Sequence, residues 1–275
     1  MSIENNKKDS DRIIESKMDE LWSISRYIHD NPEMCFEEEK ACKIQCEFLR
    51  KEGFSVNEGL GSLSTAFEAA IGEGKPVVAI LSEYDALAIG HACGHNLIST
   101  SALGSAIGLK TAILDKQVKG TVKIIGTPAE EGGGGKIILF NEGYFKDVDA
   151  VIMMHPTSFT SRLAGECLSS KRIEIEYTGK GAHAGSHPDN GINALSAANL
   201  YFVATGMLRQ HFKGDVRLSG IITESGTQVG LIPETTVIKG SLSCFSLNDL
   251  NRYAEMIVHA AEGCGEAMGC KCNVK

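Results

Sequence analysis

The chain has 275 residues, of which 43% are hydrophobic and 23% charged, as in a soluble globular protein with one large or two ordinary domains. Its formal net charge is −8 and no basic stretch is interleaved with aromatic residues, so nucleic acid is not expected as a partner. No apolar run approaches the roughly 20 residues that cross a bilayer, and the polar first residues show no signal peptide, so we expect no membrane partner and a cytoplasmic location.

The nine cysteines are odd in number and scattered, which fits reduced thiols better than a set of disulfides. Cys264, Cys270 and Cys272 cluster near the last residue, but no second cysteine pair or histidine pair accompanies them. We therefore predict free thiols there rather than a metal site.

The first part of the chain alternates predicted helices with predicted strands. Apolar periodicity and Gly or Pro stop signals predict helices over residues 11–30, 36–51, 99–114 and 136–141. Apolar runs predict strands over residues 77–81, 121–125 and 150–154. This alternation predicts an α/β fold with a parallel or mixed sheet.

After about residue 168 the pattern changes to alternating, one-sided strands. We predict strands over 172–177, 216–223 and 236–242, and helices over 193–209 and 247–268. The order β-α-β-β-α predicts a small α+β domain with its helices on one sheet face. We therefore place one domain at residues 1–168 and a second at 169–275.

The segment after the first predicted strand is rich in metal-binding side chains. Asp85, His91, Cys93 and His95 all lie there, and Gly94 lets the side chains of Cys93 and His95 face one ion. His91 is either a third ligand or a partner of a ligand. The alternative is a buried cysteine beside two surface histidines.

Two further clusters follow the next two strands. Glu130 and Glu131 are adjacent, and neighbouring carboxylates are expected to point different ways, so that one binds metal while the other takes a proton from water. The alternative is a pair of exposed acids at a helix N-terminus. His155 ends the third strand and completes a possible ligand set of Cys93, His95, Glu131 and His155 from three strand ends.

A glycine-rich turn in the second domain carries His183 among small residues. This histidine is placed to donate a hydrogen bond to a developing oxyanion. Asn190 or Asn193 is expected to cap the following helix, and both roles are compatible. We also assign Asn193 a substrate-binding role.

Five motifs in a fixed order resemble one known superfamily. They are Glu-Tyr-Asp-Ala-Leu, Gly-His-Ala-Cys-Gly-His-Asn, Pro-Ala-Glu-Glu-Gly, Met-His-Pro and Gly-Lys-Gly-Ala-His-Ala. The chain is similar, from residue 29 onwards, to the dinuclear metal-dependent aminoacylases and carboxypeptidases, and most of all to the amidohydrolases that act on N-acyl amino acids, aminobenzoyl-glutamate or dipeptides. The resemblance implies a mixed-sheet, zinc-peptidase-like catalytic domain with an inserted α+β lid domain that forms dimers.

The resemblance also implies roles for single residues. Cys93, His95, Glu131 and His155 match the ligands of two divalent ions, zinc or manganese. Glu130 matches the general base. His183 matches a lid histidine that reaches the active site of a neighbouring subunit, whereas His187 matches no family residue.

Three departures from the family pattern affect these expectations. The family's catalytic domain resumes after the lid with one more metal-binding histidine, so its C-terminal part is expected to be absent here. Gly230 stands where the family usually has asparagine, and Ser243 where many relatives have an arginine suited to a substrate carboxylate. Two alternatives to the hydrolase stay open: a catalytically incomplete dimerising or ligand-binding protein, and a thiol enzyme using Cys93 with His91 or His95.

Overall fold

The computed structural model describes residues 3–116, 118–158, 160–161, 163 and 166–275, which form two compact units, Met1–Ser161 and Arg162–Lys275. The domain boundary that the sequence suggested, near residue 168, lies slightly later. The first unit contains, in chain order, α1 (Ile3–Ser16), α2 (Met18–Asp30), α3 (Glu39–Lys51), β1 (Ser55–Leu60), β2 (Leu63–Glu73), β3 (Val77–Ser82), α4 (His95–Lys116), β4 (Gly120–Gly126), α5 (Gly135–Glu142) and β5 (Ala150–Ile152).

The sheet of the first unit is mixed, with strand order β1-β2-β4-β3-β5. β1 and β2 run antiparallel to their neighbours, while β4, β3 and β5 are mutually parallel. In this register Ser82 pairs with Gly126, and Ile80 pairs with Ile152. The carboxyl ends of three parallel strands therefore meet at one edge, and the predicted mixed α/β fold is confirmed.

Helix α4 packs against α1, α2 and the parallel strands. By length and composition alone its first 20 residues, His95–Leu114, are apolar enough to cross a membrane, but half of that stretch is buried within the protein. Ile98, Leu103 and Ile107 are fully buried in the core. A core helix of this kind meets the same length and composition criteria as a membrane span.

Several predicted elements of the first unit were wrong in detail. The single helix predicted over residues 11–30 is two helices, α1 and α2, joined at Lys17. Trp22 of α2 is apolar but 57% exposed. The next helix begins at Glu39 rather than at Phe36, because Phe36 has φ 68° and cannot be helical. Strands β1 and β2 were not predicted from the sequence at all.

The second unit contains β6 (Ser169–Thr178), α6 (Ala194–Leu208), β7 (Arg217–Ser225), β8 (Thr235–Cys244), α7 (Leu247–Ala267) and β9 (Lys271–Val274). Its sheet is antiparallel with order β7-β8-β6-β9, and α6 and α7 contact each other and the sheet. Every other residue of β6 from Ile173 to Tyr177 is buried. The predicted α+β arrangement is therefore present, with β9 as an additional edge strand. No disulfide bond joins the cysteines in the part of the chain that the structure describes.

Candidate metal centre

The segment that follows β3 is buried, although it is rich in acids. Glu83, Tyr84 and Asp85 are each at most 1% exposed. The hydroxyl of Tyr84 donates to the carbonyl of Thr65 at 2.6 Å, and the amide of Ala86 donates to the carbonyl of Glu33 at 2.8 Å. These bonds hold the acidic segment rigidly at the carboxyl end of the strand.

Asp85 fixes the orientation of the His95 ring. Nδ1 of His95 lies 2.8 Å from the carbonyl oxygen of Asp85 and 3.0 Å from its Oδ1. Because both atoms are acceptors, we infer that Nδ1 carries the proton. His95 is the first residue of α4, four residues earlier than the predicted helix start, so the helix backbone also fixes its position.

The other nitrogen of His95 faces three carboxylates. Nε2 lies 3.6 Å from Oε2 of Glu83, 3.8 Å from Oε1 of Glu131 and 4.0 Å from Oε2 of Glu130. Nε2, Glu83 Oε2 and Glu131 Oε1 are buried and have no hydrogen-bond partner among the described residues. Two donors about 2.1 Å from one tetrahedrally coordinated ion lie about 3.4 Å apart, so this spacing suits a divalent cation.

His155 lies beside this group. Its ring centroid is 6.1 Å from that of His95, and its Nδ1 is within 2.7 Å of the carbonyl oxygen of Pro156. Donor atoms of Glu83, His95 and His155 all lie within 4.8 Å of one another. The third strand end therefore adds a histidine to the same centre, and this histidine is exposed to solvent.

Gly94 allows the close approach of the Cys93 and His155 segments. It has φ 73°, and a Cβ at this position would lie 3.0 Å from Cγ of Pro156. Cys93 itself is half-buried. Hydrogen bonding to Glu131, burial and the negative charge of Glu131 raise the pKa of the thiol to about 11. A nucleophilic cysteine needs a lowered pKa, so this environment does not suit the thiol-enzyme alternative.

The two adjacent acids do not diverge, contrary to the prediction from the sequence. Both Glu130 and Glu131 have a carboxylate oxygen within 4.8 Å of the His95 ring nitrogen and of each other. Their side chains differ in exposure, at 40% for Glu130 and 18% for Glu131. Burial and the negative charge of Glu83 raise the pKa of Glu130. The more exposed acid is the one that a substrate can reach.

His91 lies apart from these donor groups. Its ring stacks on that of His29 with centroids 6.4 Å apart. Within the described part of the chain, the acid and histidine clusters around His95 do not include it. Burial lowers the pKa of His91, which keeps the ring neutral.

Glu38, which was not predicted from the sequence, is a buried acid that holds the Glu130 turn in place. Its Oε1 accepts hydrogen bonds from the amides of Ala129 at 2.8 Å and Phe36 at 2.9 Å, and its Oε2 accepts from Thr65 Oγ1 at 3.0 Å. Ala129 has φ 58°, an unfavourable conformation for a residue with a side chain. This role depends on three segments that meet only in the folded protein, and no sequence motif indicates it.

In the second unit, His183 is exposed and its ring is held by the backbone. Nδ1 accepts from the amides of Gly185 at 3.2 Å and Ser186 at 3.1 Å, so the ring proton is on Nε2. Asn193 caps α6, because its Oδ1 accepts from the amides of Leu195 and Ser196. The predicted cap is confirmed, and the substrate-binding role of Asn193 stays a prediction.

The order of the acidic and histidine-bearing segments matches one known protein family. The model of "Peptidase family M20/M25/M40" matches residues 83–262, well over half of the chain. The chain belongs to this peptidase family. The match begins at the acidic segment after β3 and includes all the predicted site residues.

Individual family members agree with this assignment. The chain is 33% identical to one of the subunits of the p-aminobenzoyl-glutamate hydrolase of Escherichia coli, over 92% of its length and 56% of the relative's. It is 34% identical to the Xaa-Arg dipeptidase of Mus musculus over 95% of its length and 64% of the relative's. The chain thus spans somewhat more than half the length of these relatives.

Among solved structures, the YXEP protein of Bacillus subtilis, a dinuclear metal binding peptidase from the M20 family, has a similar fold. The TM-score is 0.72 at 25% sequence identity, over 95% of this chain and 74% of that one. The family resemblance found in the motifs is therefore confirmed by sequence and by structure.

Replacing Glu38 by alanine tests whether it supports the Glu130 turn. Glu38→Ala leaves buried amides without an acceptor, so we expect the free energy of unfolding to fall by about 3 kcal/mol in urea titration. Glu37→Ala removes an exposed carboxylate one residue away and serves as the control. Equal stability of the two variants would contradict the role of Glu38.

Proposed function

We propose that this member of the M20/M25/M40 family hydrolyses the amide bond of a small N-acyl amino acid, an aminobenzoyl-glutamate-like conjugate or a dipeptide, with two divalent ions as cofactors. One observation carries this proposal: Nε2 of His95 has no hydrogen-bond partner in the described part of the chain and faces carboxylate oxygens at 3.6 to 4.0 Å. The names of the related hydrolases and of the dinuclear peptidase support it.

The residues fit such a cofactor. Cys93, His95, Glu131 and His155 would hold the ions, because thiolate, imidazole and carboxylate are the ligands that suit zinc or manganese. When bound, the ions would polarise the substrate carbonyl and lower the pKa of a water molecule. Asp85 would keep the imidazole of His95 oriented through Nδ1.

Glu130 is the residue we assign to proton transfer. It is the more exposed member of the acidic pair, and the adjacent Glu131 is left to bind metal. In the proposed reaction Glu130 accepts a proton from the attacking water and then donates it to the leaving amine. When the C–N bond breaks, the nitrogen keeps the bonding electron pair and takes up that proton.

His183 would stabilise the oxyanion that forms on the substrate carbonyl. Its Nε2–H is free to donate because the backbone occupies Nδ1. We propose that it acts across a homodimer formed through the second unit. Ser243 stands where many relatives have arginine, so it cannot form the bidentate pair that a guanidinium makes with a substrate carboxylate.

Glu130→Gln tests the proton-transfer role. The variant keeps the shape and the neighbouring ligands but cannot accept a proton, so we expect two equivalents of metal to bind and kcat to fall about 10²- to 10⁴-fold. The assay follows amine release from p-aminobenzoyl-glutamate, N-acetyl amino acids and dipeptides. Glu15→Gln, an exposed acid in α1, is the control. Wild-type turnover by Glu130→Gln would remove Glu130 from this role.

Metal removal tests the cofactor. We expect a chelator to abolish hydrolysis and added zinc or manganese to restore it. Because the ions bind only the folded protein, free metal at about 100 times its Kd should raise the free energy of unfolding by about 2.7 kcal/mol. Metal binding without hydrolysis of any substrate would favour the dimerising or ligand-binding alternative. Chelator-resistant activity that a thiol reagent destroys would favour the thiol enzyme.

Mixing two inactive variants tests the dimer. His183→Ala should lower kcat by about 10²- to 10³-fold, as the loss of one oxyanion donor does. If His183 acts on the partner's substrate, heterodimers of His183→Ala with Glu130→Gln contain one intact site and regain activity. If His183 acts within its own subunit, every site in the mixture carries one defect and activity stays low.

A further inference from the structure

Glu83 is a buried acid that opens the Glu-Tyr-Asp-Ala-Leu motif but has no place in the ligand set that the family resemblance implies. It follows the last residue of β3 directly, and its side chain is 1% exposed. An ionised carboxylate is very unfavourable in the interior unless each oxygen is paired. The partners of its two oxygens therefore show what the residue does.

Lys136 compensates one of the two oxygens. Its ammonium group pairs with Oε1 of Glu83. The first residue of α5, Gly135, packs so closely against the turn after β4 that a Cβ there would overlap the carbonyl oxygen of Pro128. This close packing brings the next residue, Lys136, to Glu83. The pair joins α5 to the end of β3.

The second oxygen, Oε2, has no hydrogen-bond partner within the described ranges. It lies 3.6 Å from Nε2 of His95, whose Nδ1 proton is already given to Asp85. A lone pair of Glu83 Oε2 and the lone pair of His95 Nε2 therefore face each other in the protein interior. A nitrogen of His155 lies within 4.8 Å of the donor atoms of both residues. A cation between these atoms satisfies all three at once.

We propose that Glu83 is an additional metal ligand, binding through Oε2 the ion that His95 and His155 hold, while Lys136 balances the charge on Oε1. This inference rests on the metal-dependent function proposed above. Manganese prefers carboxylate oxygens as ligands, whereas zinc prefers imidazole nitrogens and thiolates. Glu83 therefore shifts the preference of this ion site towards manganese.

The test is metal affinity, measured by titration against a competing chelator with Mn²⁺ and Zn²⁺ separately. We expect Glu83→Gln to weaken Mn²⁺ binding at one of the two sites by about 100-fold or more, since even a residue that only supports a ligand contributes 10- to 100-fold. Zn²⁺ binding should weaken less. Glu73→Gln, an exposed acid at the end of β2, should bind both ions like the wild type.

The stability of the metal-free protein separates a ligand from a purely structural residue. In Glu83→Gln the side-chain amide can accept a hydrogen bond from Lys136 and donate one to Nε2 of His95. Without metal, the variant should therefore melt no lower than the wild type. With metal bound, the variant should melt lower than the wild type. A metal-free variant that melts lower than metal-free wild type would make Glu83 structural and overturn the inference.

Lys136→Met provides the matched comparison. This substitution removes the positive charge beside Glu83 but leaves the Glu83 carboxylate, so metal binding should be kept. The visible spectrum of the Co²⁺-loaded protein should change in Glu83→Gln but not in Lys136→Met. Equal loss of affinity in both variants, or wild-type affinity in Glu83→Gln, would overturn the inference. If the wild type itself binds no divalent ion, the proposed function fails instead.

Discussion

Asp85 is the residue on which the candidate metal centre depends, because its two carboxylate oxygens hold two segments that lie far apart in the chain. Oδ1 orients His95 and Oδ2 accepts the amide of Glu131 at 2.9 Å. Burial alone would raise the pKa of Asp85, but the hydrogen bonds from His95 and from the Glu131 backbone outweigh it and lower the pKa. An ionised, buried carboxylate thus fixes both the imidazole and the acidic pair.

Around this anchor the protein concentrates negative charge. Glu83, Glu130 and Glu131 each direct an oxygen towards Nε2 of His95. Burial would lower the pKa of His95, but Asp85, Glu83 and Glu131 raise it, so the field of the centre favours a positive charge at this nitrogen. Like charges at such short range are unfavourable for folding, and proteins keep such conflicts at functional sites.

In the second unit, backbone hydrogen bonds position the turn that carries His183. The turn that carries His183 is held to the turn before β8, since the amide of Ala184 donates to the carbonyl of Gly230 and the amide of Ile232 donates to the carbonyl of Ala182. Only backbone atoms are used, so glycine at position 230 in place of the family's asparagine does not disturb the bond. Backbone amides therefore occupy Nδ1 of the imidazole, which leaves Nε2–H as its donor.

The sequence alone determined the family, the alternation of helices and strands, and the candidate residues from Cys93 to His183, because ligand chemistry and hydrophobic periodicity are local properties. It could not place Glu38 and Glu83, whose contacts exist only where β2, β3 and the Glu130 turn meet. Nor could it place β1 and β2, a hairpin that joins the sheet through the distant strand β4. It also suggested that Glu130 and Glu131 diverge, whereas both face His95. Tertiary structure decided these points because side-chain direction and burial depend on strand register and turn geometry, which residues distant in the chain set together.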